Sequence, residues 1–181
     1  DIEDARFRLG NFYVNYKHPP DYADGLPWLK KAAEEGNRTA MFDLGRLQMA
    51  GDGMAKDVKA GVAWITKSAE AGTLQAQQTL AQLYAEGKTV AKDEMTSLKW
   101  VLTIASGPAA DVYYLDRAGD IFFDGWGPIP KNYPAARNWY ERAGAHGDKH
   151  ALERLALIYH RDLGVAKDEK KAADYKDQIK N

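Results

Sequence analysis

The chain reads as an all-α solenoid of about five helix-turn-helix repeats, some ten helices, and three observations carry that reading. Tryptophan recurs at near-constant distance: Trp28, Trp64, Trp100 and Trp139, with Tyr175 in the same place at the end, at spacings of 36, 36, 39 and 36 residues. Seven residues before each stands an acid or its amide: Asp21, Asp57, Asp93, Asn132 and Asp168. Upstream of these, an Ala-x3-Leu block falls into register at Ala5/Leu9, Ala40/Leu44, Ala76/Leu80 and Ala151/Leu155. Self-similarity at a period of ~20–50 residues is the signature of stacked structural repeats. Such an array presents an extended surface for binding rather than one enclosed pocket.

The first helix of each repeat follows from its spacing. Offsets of four and eight residues place the leading Ala, the Leu and a Tyr (Tyr13, Tyr84, Tyr159) on one face. Gly10, Gly45 and Gly119 sit beside the Leu position, or its counterpart in the degenerate fourth copy. Glycine inside a helix costs about 1 kcal/mol relative to alanine, so three such glycines imply that a neighbouring helix must come close. Next comes a loop of one pattern, Gly51-x-Gly53-Met54-x2-Asp57, Gly87-x2-Val90-x2-Asp93 and Gly164-Val165-x2-Asp168. Its glycine supplies a left-handed cap for the helix before it. Its Asp caps the helix after it, or sits in its first turn, where negative charge suits the helix dipole. That second helix carries the Trp and ends in similar tails, Ala32-Ala33-Glu34-Glu35-Gly36, Ser68-Ala69-Glu70-Ala71-Gly72 and Ala143-Gly144-Ala145-His146-Gly147. Pro27 and Pro134 fall near its start, where a missing N–H is tolerated. The recurring tryptophans are therefore read mainly as packing residues.

The pattern Ala-x3-Leu-Gly-x2-Tyr-x2-Gly-x-Gly-Val-x2-Asp-x3-Ala-x2-Trp-x3-Ala-Ala-x2-Gly resembles the Sel-one-like repeat, a relative of the tetratricopeptide repeat. Repeats two and three match it most fully, and the resemblance runs over essentially the whole chain. The first copy departs in its loop, Asn15 to Pro20, and the last loses its Trp. The resemblance implies a right-handed superhelical α-solenoid used as a protein-interaction scaffold, in bacterial envelope or host-contact settings. Approximate repeat limits are 1–37, 38–73, 74–109, 110–147 and 148–181, in one continuous domain.

Composition narrows the partners. Net charge is −1, and the basic residues are interleaved with acids, so neither nucleic acid nor anionic lipid is drawn to the chain. No apolar run approaches the ~20 residues that span a bilayer, so membrane insertion is not expected. With no cysteine there is no disulfide framework, thiolate metal site or cysteine nucleophile. The chain starts at Asp1 without Met, as expected of a processed or trimmed form whose targeting segment is gone.

The array breaks its own rule in the fourth repeat. Three extra residues fall mainly at Gly107-Pro108-Ala109-Ala110, and the loop Gly125 to Pro130 is one residue longer than its counterparts. Trp126 stands where sibling loops carry Asp52 and Lys88, which marks it as a partner anchor, tryptophan being enriched at interface hot spots. The alternative is that it folds back over the irregular junction. Asp116, Asp120 and Asp124 share one helix face, so they form a solvated face, a face neutralised by Arg154 or Lys149, an acidic strip for a basic partner, or a cation or acid–base site. By the tetratricopeptide resemblance, first helices line the concave groove. That places Phe7, Asn11 and Val14, then Phe42, Arg46 and Met49, then Gln78, Gln82 and Ala85 along it. Asp116, Asp120 and Phe123, then Glu153, Leu157 and His160, continue the line.

Catalytic signatures are missing. His146 and His150 have ligand spacing, but Gly147 and Asp148 put a turn between them, so no metal site and no cofactor is expected. There is no phosphate-cradling loop and no Gly-x-Ser-x-Gly elbow. Asp116 and Asp120 lie on adjacent turns of one helix, a poor geometry for hydrolytic carboxylates that must flank a substrate. The function expected is non-catalytic binding of another protein, as an adaptor in an envelope assembly or as an inhibitor, for instance an immunity protein against a secreted bacterial toxin. The expected binding residues are Phe42, Arg46, Met49, Gln78, Gln82, Asp116, Asp120, Phe123, Asp124 and Trp126. A periplasmic or otherwise exported location goes with this reading, with the cytoplasm as the alternative. The competing reading is a hydrolase or small-ligand binder using the carboxylates of the fourth repeat.

Overall fold

The structure is a computed structural model that describes residues 2–107 and 110–180. Asp1 and the Pro108–Ala109 part of the expected insertion lie outside the described residues. Within them are ten α-helices: α1 (Ile2–Asn11), α2 (Tyr22–Glu34), α3 (Arg38–Ala50), α4 (Val58–Glu70), α5 (Leu74–Glu86), α6 (Glu94–Ser106), α7 (Val112–Asp124), α8 (Tyr133–Gly144), α9 (Lys149–His160) and α10 (Glu169–Lys180). The protein is all-α. The chain forms two compact units, dividing between Lys92 and Asp93, so that α1–α5 belong to the first and α6–α10 to the second.

The five expected second-helix caps all form. The side chains of Asp21, Asp57, Asp93, Asn132 and Asp168 accept from the N–H of Asp24, Ala60, Thr96, Ala135 and Lys171, at 2.9–3.2 Å. Each satisfies one of the orphan donors at a helix start. The expected left-handed caps are present at Gly51 (φ 88°) and Gly87 (φ 68°). The hairpin loops close by one recurring bond, from the backbone N–H of Asp21, Asp57, Asn132 and Asp168 to the carbonyls of Tyr13, Gln48, Phe122 and Tyr159.

Small residues let the two helices of a hairpin touch. A Cβ added to Gly45 would lie 2.7 Å from the Gly61 carbonyl, and one added to Gly61 would lie 2.6 Å from the Gly45 carbonyl. Gly10 and Gly25 face each other in the same way in the first hairpin. Gly119 instead makes room for the ring of Tyr140.

In the first unit the core joins Val14, Leu29, Ala32, Ala33, Ala40, Leu44 and Leu47, with Trp64 partly buried against it. In the second, Trp100, Val101, Ile104 and Ala105 of α6 are buried, as are Leu115, Ala118 and Ile121 of α7. The tryptophans are thus unequal: Trp100 is 4% exposed, whereas Trp28, in the first repeat, is 40% exposed. One register differs from expectation. Phe12–Tyr16 form a π-helical turn directly after α1. The wider turn rotates Val14 inward, where it is buried against the bare backbone of Gly25 rather than lining a groove.

Candidate functional site

The irregular fourth repeat gathers the most chemistry. Helix α7 is capped by Asp111, whose side chain accepts from the Tyr113 N–H, and its apolar face is anchored by Leu115, Ala118 and Ile121. That anchoring turns Asp116, Asp120 and Asp124 toward α9. Asp116 meets the ring Nδ1 of His150 at 2.9 Å. Asp120 accepts from the Tyr140 hydroxyl at 2.7 Å and has the Arg154 Nε at 3.8 Å. Asp124 accepts from the Arg154 guanidinium at 3.3 Å. Arg154 Nε also donates to His150 Nε2 at 3.2 Å, and its guanidinium stacks 4.5 Å from the Phe123 ring centre.

Of the two neutralising residues expected, Arg154 takes the role and Lys149 does not. His150 takes the other part. Its contact is hard to read from sequence because it joins first helices of successive repeats, 34 residues apart. The signal available was its position one residue before the leading Ala151, at the start of α9.

Electrostatics follow the geometry. Burial holds the Asp116 carboxyl above its ordinary value, outweighing the hydrogen bond and charge of His150 that draw it down. Burial works to lower the His150 pKa, but the hydrogen bond and charge of Asp116, with the charge of Asp120, leave it raised. Burial also pushes the Tyr140 hydroxyl well up, and the bond to Asp120 adds to this. Tyr140 is therefore a proton donor to Asp120, not a base.

The three groups Asp116, Asp120 and His150 each offer one atom within 4.8 Å of the others, the spacing of a cation site. Arg154 already brings its positive charge to that point, touching both His150 and Asp120. A divalent ion would have to displace it.

Beyond Asp124 the chain makes a tight turn. Trp126 and Ile129 exchange both backbone hydrogen bonds at 2.9 Å. Gly127 (φ 54°) sits so close to Glu94 that a side chain there would collide with it. Trp126 is half-buried, with the Arg117 guanidinium 5.6 Å from its ring centre. Arg117, Asp120, Ile121, Asp124 and Trp126 line an open cleft of about 200 Å³. Asp116 is not part of its lining, so the cleft does not enclose the Asp116–Asp120 pair that the hydrolase reading would use.

The remaining expected residues lie in the first unit, Phe123 of α7 excepted. Phe42 is 6% exposed and serves the core, as does Phe123 at 7%, set edge-on to Tyr133 and Tyr140. Arg46 is exposed and donates to Asn15 at 3.1 Å. Met49 is half-buried over Gly61. Gln78 is half-buried, and Gln82 is exposed, donating to Glu86 at 2.7 Å. Nearby Asp43 is held above its ordinary pKa by burial, against the pull of Arg46.

Comparison with known proteins gives one consistent result. The sequence matches the Sel1 repeat at residues 3–37, 38–73, 74–105, 113–148 and 149–175. A protective antigen of uropathogenic Escherichia coli with an SLR fold is 30% identical, with a TM-score of 0.68 over 98% of this chain. The match spans 38% of the length of that antigen. A Sel1 repeat protein from Oxalobacter formigenes is 25% identical, with a TM-score of 0.61 over 98% of this chain and 72% of its own. An immunity protein from Pseudomonas aeruginosa is more distant, 17% identical with a TM-score of 0.44 over 98% of this chain and 81% of its own, and nothing about its role transfers at that distance. Among curated proteins, no sequence matches this chain.

Proposed function

The chain belongs to the Sel1 repeat family, typically protein-interaction scaffolds, and we propose that it acts by binding another protein without catalysis. The carboxylates that a hydrolase would need are committed to the chain's own Tyr140, His150 and Arg154, which supports the binding reading over the enzymatic one. The observation that carries the site is the open cleft beside Trp126. It offers an aromatic edge, an exposed carboxylate at Asp124 and a cation at Arg117, and about 200 Å³ admits a side chain or two of a partner. Aromatic and arginine residues at such clefts dominate binding energy. In the first unit, the groove resemblance offers Arg46 and Gln82 as separate contacts, both of them exposed.

The finer role is either adaptor in an envelope assembly or inhibitor of a secreted toxin or enzyme. A periplasmic or exported setting goes with either role. Among the described residues no helix is long and apolar enough to cross a membrane.

The test is affinity capture from the native organism with wild type and a Trp126→Ala/Asp124→Lys variant, whose circular dichroism must match wild type. One protein held by wild type and lost by the variant supports binding through this cleft. Equal retention moves the site elsewhere on the chain. Capture of nothing by either, together with turnover of a small substrate, would overturn the scaffold reading. Whether the captured protein loses activity on binding then separates inhibitor from adaptor.

A further inference from the structure

Two pairs with the same four-residue spacing meet across the fourth and fifth repeats: Asp116 and Asp120 on α7, His150 and Arg154 on α9. Residues four apart share a helix face, so each pair meets the other as a unit. Three polar atoms form a triangle at the contact. Arg154 Nε is 3.2 Å from His150 Nε2, and Asp120 Oδ1 stands 3.8 Å from the first and 3.9 Å from the second. On the other side of the ring, Nδ1 meets both oxygens of Asp116, at 2.9 and 3.1 Å.

A guanidinium N–H only donates, so His150 Nε2 accepts and carries no proton in this arrangement. An ionised carboxylate only accepts, so Nδ1 carries the proton. Both neighbours therefore select one neutral tautomer, Nδ1–H. A second proton on the ring would set two cationic donors face to face at 3.2 Å. The like charges repel, and the Asp120 oxygen 3.9 Å away becomes the acceptor for the new N–H. Arg154 then loses both His150 and its share of Asp120. Its remaining carboxylate is Asp124, which the guanidinium already meets at 3.3 Å while stacked on the Phe123 ring.

We propose that His150 is a proton-operated latch on Arg154 that regulates the Trp126 cleft. With the ring neutral, Arg154 is held back by His150 and Asp120, and Asp124 stays available to a partner. With the ring protonated, Arg154 closes onto Asp124. Asp124 lines the cleft and is 54% exposed, so this one contact decides whether the cleft offers a carboxylate. Asp116 and Asp120 face the ring from α7, Tyr140 from α8 and Arg154 on α9 itself, with Asp148 of the α9 cap near Asp116. α10 directs its Glu169 to His160 instead. Burial opposes the second proton, but the Asp116 and Asp120 carboxylates outweigh it and leave the His150 pKa raised. That brings the exchange of states toward neutral pH, the range in which histidine switches operate. The regulatory role rests on the binding reading of the cleft, whereas the latch itself does not.

The test is NMR of the full 15N-labelled chain between pH 5.5 and 8.5. The His150 ring is assigned by its loss in His150→Gln, Arg154 Nε by Arg154→Lys, and the Trp126 indole by Trp126→Phe. At pH 8.5 the ring should show a bare Nε2 and a protonated Nδ1, the reverse of the tautomer that free histidine prefers. The Arg154 Nε–H should be visible at pH 8.5, where base-catalysed exchange erases an N–H left to solvent. As pH falls, its signal should shift at the midpoint of His150. The Trp126 indole should shift at that same midpoint, and the shift should vanish in His150→Gln and in Asp124→Asn. A protonated Nε2 at pH 8.5, or an Arg154 signal that is absent there or ignores the His150 midpoint, overturns the latch. A Trp126 signal indifferent to that midpoint overturns its hold on the cleft. None of these readouts involves a partner, so they stand or fall separately from the capture experiment that tests the cleft.

Discussion

Three aspartates on one helix face repel each other, and each here is answered by a different partner. Asp116 has His150, Asp120 has Tyr140, and Asp124 has Arg154. Only the first answer depends on physiological pH. His150 faces Asp116 and Asp120 from α7, Tyr140 from α8, Arg154 one turn along α9, and Asp148 at the cap of α9 lies near Asp116. Its pKa is raised in the folded chain, so its contribution to stability is fully present below the unfolded value near 6.5 and is lost as pH rises through the folded value. Asp116, held up mainly by burial, likewise favours the folded chain below its folded pKa and loses that contribution as pH rises through it. The expected outcome is that wild type is more stable than His150→Gln at pH 6 and that the gap narrows by pH 8.5. His150 is 43% exposed, which keeps the effect below about 1 kcal/mol, or some 3 °C in Tm. A gap that widens with pH would reverse the assignment of Asp116 as its partner.

Each hairpin is built from the same devices, and the most testable is the cap of the second helix. Asp57 accepts from Ala60 at 2.9 Å and has no side-chain duty beyond that bond among those described. Asp57→Ala should therefore cost about 1 kcal/mol, and Asp57→Asn should cost little, as read from urea midpoints. Equal loss in both would mean that charge rather than the cap bond matters. These caps are legible in the sequence because they recur seven residues before each Trp and depend only on neighbours three residues away. The close-packed glycines Gly10, Gly45 and Gly119 are legible because they recur beside the Leu position of the first helix. Two things are not. The inward turn of Val14 depends on a π turn that no spacing rule announces, and the fate of each Trp depends on what stacks above it. Trp28 and Trp100 occupy the same place in the pattern and differ tenfold in exposure. The Asp116–His150 pair is hidden because it links two repeats, so it appears only when first helices are placed side by side.

The fifth hairpin, α9 with α10, covers the hairpin before it, as each repeat of a stacked array covers its neighbour. α10 sets Lys176 and Lys180 where α2 has Leu29 and Ala33, and both lysines are exposed, so that face of α10 stays wet. Removing residues 148–181 would uncover an apolar face of α8. The buried Tyr140 and Ala143 of α8 would lose α9, and Asp116, Asp120 and Asp124 would lose His150 and Arg154 together. Leu152, Leu155, Ile158 and Tyr159 each contribute about 1.5–3 kcal/mol of burial that the truncated chain forgoes. The chain ending at Gly147 should therefore show a Tm lower by about 10 °C or more and poor solubility near neutral pH. Restoring the neutralised face without the fifth hairpin, by Asp116→Asn and Asp120→Asn in the truncated chain, should recover only the smaller, electrostatic part of the loss. A truncated chain as soluble and as stable as the full one would show that the fifth hairpin does not seal α8.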